Sequence, residues 1–316
     1  MFSQSLEALD SITLNFNQGS LLVMNITIAF IMFGVALGIK FSGFRELIRK
    51  PRPLITGIIS QVVLLPLVTF LLIMILKPSQ AVALGMLLVA SCPGGNVSNF
   101  ISSLAKGNVE LSVSLTGVTT ITAIFVTPFN FAFWGGLYAR TSPLLRPIEV
   151  DPIQMFQLVF LLLGIPLILG LLFSMKLPRT TAKIQKPVKW LSIFAFGGFV
   201  AGALTANFQN FLKNIHLIFI IVLIHNAVAF LTGYFFAMGM RLKKNDRRTV
   251  SIETGIQNSG LALALIFNPN IFPADLQLGG MAFIAAWWGI WHIIAGMSVA
   301  FMWSSADKKL AKQNNG

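Results

Sequence analysis

The amino-acid sequence predicts an all-α polytopic membrane protein with nine transmembrane helices. Hydrophobic residues make up 55% of its 316 residues and charged residues only 10%, against about 25% charged residues in ordinary soluble domains. The apolar residues are gathered in long uncharged runs, and a helix needs about 20 such residues to cross a bilayer. The net charge of +13 comes from basic residues in the short loops between these runs, so it predicts membrane orientation rather than nucleic-acid binding.

Uncharged runs separated by basic loops set the bounds of the predicted spans. The eighth run contains one carboxylate, Glu253, and is extended back to Asp246. In chain order the spans cover residues 20–39, 53–76, 81–106, 109–137, 154–174, 189–208, 216–240, 246–269 and 278–304. The first eighteen residues hold Glu7 and Asp10 but no basic residue, so no cleavable signal peptide is expected. The single cysteine, Cys92, excludes an intramolecular disulfide framework.

Basic residues are distributed unevenly between the two sets of alternating loops. Of the 23 Lys and Arg residues, 19 fall in one set together with the C-terminal tail, and four fall in the other. Cytoplasmic loops carry an excess of Lys and Arg. The sequence therefore predicts a multi-pass protein of the plasma (inner) membrane, with its N-terminus outside and its C-terminus in the cytoplasm.

The third and eighth spans are interrupted near their middles. Pro93, Gly94 and Gly95 break the third, because proline removes a backbone donor and glycine has low helix propensity; its second half is expected to restart at Asn96. The eighth is expected to break over residues 257–260 and to restart at Ser259. The two broken spans run in opposite directions, and spans one to four match spans six to nine with reversed direction. This pattern predicts an inverted repeat; the alternative is two independently kinked helices.

Polar side chains are concentrated around these breaks. Glu253 is expensive at bilayer depth, so a cation, a proton or a buried water path is expected beside it. Ser112 and Thr116 share one helix face through their four-residue spacing, as do Glu253 and Gln257. The other polar residues of this set are Gln61, Ser98 and Asn99. Oxygen ligands of this kind with a single carboxylate favour a monovalent cation, unless each hydroxyl simply bonds its own helix backbone.

Two stretches of this sequence resemble the signatures of a known family. SCPGGNVSN in the third span and RRTVSIETGIQNSG in the eighth are similar to the paired motifs of the bile acid:sodium symporter family. The resemblance covers nearly the whole chain and implies a transporter rather than an enzyme. Some bacterial members have ten spans; this chain is identified as a bacterial homologue with nine, similar to the animal bile acid carriers. The resemblance implies panel and core domains, with two broken helices that cross at the midplane.

The resemblance also implies two bound Na⁺ ions. It further implies that the single transporter unit, residues 1–316, is divided into the panel and the core. The first sodium site would use Ser98, Asn99, Ser112, Thr116 and Glu253. The second would use Gln61, Glu253, Gln257 and the backbone carbonyl of Ile256. The panel would comprise residues 20–76 (the first span and part of the second) and 154–208, and the core residues 53–137 and 216–304.

The expected substrate is an organic anion, bile-acid-like or another carboxylate or sulfonate. Helix N-termini attract anions, and the second halves of the broken spans start beside Asn96 and Asn258. Ser259 and His292 complete the predicted substrate site, although His292 can equally be a structural histidine. The substrate's identity, the ion-to-substrate ratio and the oligomeric state stay open.

Other classes of function find less support in the sequence. A prenyl transferase would need clustered aspartates for magnesium-diphosphate, and a metalloprotease a pattern such as HExxH; the sequence has neither. A passive channel can also contain broken helices, but an isolated carboxylate in a polar cage favours a binding site over a ring-lined pore. A proton-coupled carrier, in which Glu253 titrates, is the main alternative. Stabilisation and uptake that depend on sodium at constant pH would distinguish a sodium-coupled carrier from a proton-coupled one.

Overall fold

The computed structural model describes residues 6, 9–12, 18–38, 51–95, 97–141, 151–206, 208–272 and 277–314. Within these residues all regular structure is helical, apart from one isolated backbone bridge. The helices are α1 (Gln18–Gly38), α2 (Pro51–Leu76), α3 (Gln80–Ser91), α4 (Ser98–Leu104), α5 (Val109–Ala139), α6 (Pro152–Lys176), α7 (Pro178–Ala206), α8 (Phe208–Gly239), α9 (Lys244–Gly255), α10 (Ser259–Ile266) and α11 (Gly279–Asn314). The predicted all-α class is confirmed for this part of the chain.

Six of the described helices are long and apolar enough to cross a bilayer by length and composition. They are α1, α2, α5, α6, residues Ile215–Gly239 of α8 and Gly279–Asp307 of α11. The predicted sixth span lies in α7, whose first half carries four basic residues. The third and eighth are each divided between two short helices. The count of nine spans stays a prediction.

Both helix breaks lie where the sequence places them. α3 ends at Ser91, just before Pro93, and α4 begins at Ser98. The predicted restart at Asn96 lies outside the described residues. α9 ends at Gly255, one residue earlier than expected, and α10 begins at Ser259, as predicted. Cys92 and Ile256, the residues that directly follow α3 and α9, have extended backbone.

Two long helices, α2 and α6, each contain a π-helical turn ahead of a proline. The turns span Ser60–Leu64 and Phe160–Gly164. In α2, Pro66 has no N–H to donate to the carbonyl of Val62. Asn130 of α5 supplies the missing donor, with its Nδ2 2.8 Å from Val62 O. Such turns widen the helix locally, and this one lies at Gln61.

The helices pack in two neighbourhoods. α1 lies along α6 and α7, whereas α3, α5, α8 and α11 surround the short helices α4, α9 and α10. Residues 81–91 of α3 are all buried, so this helix is enclosed by protein. Large apolar side chains on the outer surface, such as Ile75 of α2 and Phe125 of α5, are instead 76% and 66% exposed. This arrangement places the two breaks in the protein interior.

Candidate functional site

The two breaks meet and satisfy each other's backbone groups. Gly95 N donates to Ile256 O at 2.8 Å, and Asn258 N donates to Pro93 O at 2.8 Å. Gly94 and Gln257 form the antiparallel bridge between these bonds. Backbone groups that leave a helix inside a bilayer need partners within the protein, and each break provides them for the other.

Side chains and backbone crowd closely against the two glycines of the bridge. A Cβ on Gly94 would lie 3.1 Å from Glu253 Oε2 and 3.3 Å from Gln61 Nε2. A Cβ on Gly95 would lie 3.1 Å from the carbonyl oxygen of Gln257. The two glycines therefore bring the extended backbone of the first break against the carboxylate and the second break.

Glu253 is fully buried and surrounded by hydrogen-bond donors from three other elements. Ser98 Oγ, at the start of α4, donates to Oε1 at 2.6 Å, and Ser112 Oγ of α5 also contacts Oε1. Thr116 Oγ1, one turn further along α5, lies 3.0 Å from Oε2. Gln61 Nε2 approaches Oε2 at 3.4 Å from the π-helical turn of α2. We call these five residues the Glu253 cage.

Further polar side chains extend the cage. Asn99 Oδ1 lies 3.4 Å from Thr116 Oγ1, and Ser98 Oγ lies 3.3 Å from the same hydroxyl. Ser102 lies 3.2 Å from Ser112, oxygen to oxygen. Sequence reasoning missed Ser102, although its spacing of four from Ser98 places both on one face of α4. All the side chains predicted for the first sodium site are therefore in one contiguous group.

The remaining residues predicted for the second sodium site lie at the second break. Gln257 is 1% exposed, and its Nε2 donates to Thr254 O at 2.8 Å. Its Oε1 has no hydrogen-bond partner among the described residues. The Ile256 carbonyl accepts from Gly95 N, which leaves it one lone pair. Ser60, next to Gln61, lies 2.8 Å from Thr254, oxygen to oxygen; it was not predicted.

The charge of Glu253 is not balanced by any cation in the part of the chain that the structure describes. The two ion pairs found there join Asp307 to Lys244 and to Arg248. The same residues hold no cluster of three or more His, Cys, Asp or Glu side chains. The groups around Glu253 are instead neutral hydroxyls and amides, whose oxygen atoms suit alkali cations. The donor set fits Na⁺ in composition and charge.

Three of the four residues predicted for the substrate site lie among the described residues. Asn96 lies outside the described residues. Asn258 is the N-cap of α10, where its Oδ1 accepts from Leu261 N at 3.1 Å, so its Nδ2 is left to donate elsewhere. Ser259 Oγ and His292 Nδ1 are buried without partners among the described residues. Ser259 faces Gly289 on α11, where an added Cβ would lie 2.7 Å from its Oγ.

Comparison with known proteins agrees with this description. Residues 25–214 match the pattern of the Sodium Bile acid symporter family. The chain is 32% identical to the "Uncharacterized sodium-dependent transporter YocS" of Bacillus subtilis, over 90% of this chain and 84% of that protein. It is 30% identical to the "Probable sodium/metabolite cotransporter BASS2, chloroplastic" of Oryza sativa, over 84% of this chain and 64% of that one.

A human relative is matched over a smaller share of its length. The chain is 32% identical to the "P3 protein" of Homo sapiens over 72% of this chain, but it spans about half of that protein, 47%. The relatives named for a function are transporters and not enzymes, and they are named for sodium. With the apolar helices described above, these matches identify a multi-pass membrane transporter. The chain belongs to the sodium bile acid symporter family.

Proposed function

We propose that this protein is a secondary active transporter that couples the downhill entry of sodium to the uptake of an organic anion. The observation that carries the proposal is Glu253, fully buried among neutral oxygen-bearing side chains and without a basic partner among the described residues. An uncompensated carboxylate at this depth is costly unless a cation joins it. Sodium would supply that charge during each transport cycle.

Two sodium ions would bind on either side of the shared carboxylate. The first would be held by the hydroxyl side of the cage, that is by Ser98, Asn99, Ser112 and Thr116 with Glu253. The second would be held by Gln61, Gln257 and the Ile256 carbonyl with Glu253. The unpartnered Oε1 atoms of Gln61 and Gln257 support this second site, because each is a buried oxygen that still needs a partner.

The anion would bind where the second break leads into α10. Asn258 Nδ2 and Ser259 Oγ are the polar groups at the start of α10, and His292 lies on α11 three residues after Gly289, which Ser259 faces. The eight-residue α10 adds the partial positive charge of its N-terminus. A bile-acid-like compound, or another carboxylate or sulfonate with an apolar body, has the matching chemistry. The family's description, with its reference to bile acids, supports this class.

Alternating access would follow from the two packing neighbourhoods. α1, α6 and α7 would form the panel, and the helices around the broken segments would form the core. Rocking of one body against the other would expose the site to each side in turn. The nine spans, the inverted repeat and the N-terminus-outside orientation belong to this proposal.

The test uses the purified protein and the protein reconstituted in liposomes. At constant pH, sodium should raise the unfolding temperature more than equal concentrations of potassium or choline, since a ligand that binds only the folded state stabilises it. A sodium gradient should drive uptake of a radiolabelled bile acid or smaller carboxylate. Uptake driven by a proton gradient without sodium would establish the proton-coupled alternative, and uptake without any gradient requirement would indicate a channel.

A further inference from the structure

One face of α5 carries polar residues well beyond the Glu253 cage. The face continues from Thr116 through Thr119, the small Ala123, Thr127 and Asn130, at spacings of three or four residues, which place them in one row. Thr119 is 3% exposed, Thr127 0% and Asn130 6%. At 1.5 Å per residue, the row extends about 20 Å from Thr116 to Asn130. We call it the α5 polar row.

A small cavity lies against this row. α2, α5 and the end of α3 line it, with Gln61, Cys92, Thr119, Thr127 and Asn130 among its walls. It has room for roughly one water molecule or one unhydrated monovalent ion. Gln61 belongs to this wall and, through its Nε2, to the Glu253 cage. The cavity is therefore one side chain away from the buried carboxylate.

Two buried oxygen atoms of the cavity wall have no hydrogen-bond partner among the described residues. They are Gln61 Oε1 and Thr127 Oγ1. Hydroxyls inside helices usually bond the carbonyl one turn back. Thr119 follows this habit, with its Oγ1 2.9 Å from Leu115 O, as does Thr122, 2.9 Å from Val118 O. Thr127 departs from it, and an unpartnered buried hydroxyl points to a missing ligand.

Two oxygen atoms of the wall have lone pairs free to bind a cation, Gln61 Oε1 and Thr127 Oγ1. The hydroxyl protons of Thr119 and Ser91 are used on their own helices, and Asn130 Nδ2 donates to Val62 O. Gln61 Oε1 can only accept, and Thr127 Oγ1 keeps its lone pairs beside its own proton, so both oxygen atoms can coordinate a cation. The nearby charge of Glu253 favours a cation in addition.

We propose that this cavity is a transient binding site for a partly dehydrated sodium ion on its way to the Gln61 side of the Glu253 cage. Gln61 would transfer the ion from the cavity to the second sodium site, because its amide oxygen can turn from one to the other. Thr127 would hold the ion in the cavity. The inference rests on the proposed function, since it gives a route to an ion site that the proposed function requires.

Cys92 allows a direct test, because it lines the cavity and is the only cysteine in the chain. The rate of its modification by 2-aminoethyl methanethiosulfonate is measured in liposomes, with sodium or with choline. Sodium should slow the modification in the wild-type protein. Thr127→Val, which keeps the shape but removes the oxygen, should abolish this protection, and Thr127→Ser should restore it. Thr122→Val, on the same helix but outside the cavity wall, is the matched control.

Sodium-dependent thermal stabilisation, measured on the same variants, separates this inference from the proposed function. In Thr127→Val it should stay as in the wild type, because the cage is intact. Protection that survives in Thr127→Val would show that sodium acts on Cys92 only through the cage, and would overturn the inference. So would a Cys92 that reacts equally fast with and without sodium. Loss of sodium stabilisation in the wild type would instead overturn the proposed function.

Discussion

Ser98 Oγ and Glu253 Oε1 are 2.6 Å apart, although the residues are separated by 155 positions in the sequence. Ser98 is the first residue of the helix that follows the first break, and Glu253 lies two residues before the end of the helix that precedes the second. The contact therefore depends on both breaks at once. A substitution that shifts either break should therefore change the position of the Glu253 carboxylate.

The first prediction concerns the charge of Glu253. Glu253→Gln keeps the shape of the side chain and removes the charge that would compensate the cations. Sodium-dependent stabilisation and sodium-driven uptake should both disappear while the protein still inserts and folds. Glu110→Gln, at the exposed start of α5, is the control and should behave as the wild type. Normal sodium-driven uptake by Glu253→Gln would refute the two-site proposal.

The second prediction separates the two proposed ion sites. Thr116→Ala removes a hydroxyl that contacts Glu253 on one side, and Gln257→Ala removes an unpartnered amide oxygen on the other. Each should lower the apparent affinity for sodium and flatten the dependence of uptake on sodium concentration. Thr122→Ala, whose hydroxyl bonds its own helix, serves for comparison. A wild type without cooperativity in sodium would show that one ion suffices.

The third prediction concerns the close approach of backbone and carboxylate at Gly94. Gly94→Ala would place a methyl group 3.1 Å from Glu253 Oε2, so the carboxylate or Gln61 must shift. Sodium affinity should fall strongly while the protein still folds. Gly136→Ala, on α5 with no atom near its added Cβ, should stabilise by about 0.5–1 kcal/mol through its helix propensity. Unchanged sodium titrations in Gly94→Ala would show that the site tolerates displacement.

The fourth prediction concerns Arg248, which ties α9 to two other helices. Its guanidinium donates to Asp307 Oδ2 at 2.6 Å and to Ala105 O at 2.9 Å. Arg248→Met should destabilise the protein by about 2–3 kcal/mol, because the Ala105 carbonyl and the partly buried Asp307 lose their partner. Lys244→Met removes the exposed partner of the same carboxylate and should cost less than about 1 kcal/mol. Thermal unfolding in detergent measures the destabilisation caused by each substitution. Equal destabilisation by Arg248→Met and Lys244→Met would contradict the burial of Arg248.

The fifth prediction separates anion binding from ion binding. Asn258→Asp keeps an oxygen that can cap α10 equally well, but it places a negative charge at the proposed anion site. Uptake of the anion should fall sharply, whereas sodium-dependent stabilisation without anion should persist. Linkage adds a quantitative check on the wild type: sodium should tighten anion binding by the factor by which the anion tightens sodium binding. Unchanged anion affinity in Asn258→Asp would place the substrate elsewhere.

The sequence indicated the breaks and most of the cage because both depend on local chemistry. Proline and glycine interrupt a helix wherever they occur in it, and a four-residue spacing places Ser112 and Thr116 on one face in any helix. Ser102 and Ser60 were missed because serine in an apolar helix usually bonds its own backbone. Only the packing of α4 and α2 against their neighbours turns these two side chains toward polar partners.

Features that depend on two distant segments were beyond sequence reasoning. The π-helical turn at Gln61 follows from Pro66, but its stability depends on the amide that Asn130 supplies from α5. The hydrogen bonds between the two breaks likewise join residues that no local pattern relates. In the same way, the sequence around Thr127 is typical of a threonine whose hydroxyl bonds a carbonyl of its own helix. Only the three-dimensional structure shows that its hydroxyl has no hydrogen-bond partner among the described residues.

The chain order of the Glu253 cage bears on how the protein is made. Among the described residues, every side chain that donates to the carboxylate (Gln61, Ser98, Ser112 and Thr116) precedes it in the sequence, so during synthesis these partners enter the bilayer first. α9 carries five charged residues among its twelve and is poorly suited to enter the bilayer alone. We expect a separately synthesised Lys244–Ile266 segment to stay outside the membrane, and the same segment to insert once the earlier helices are in place to receive Glu253.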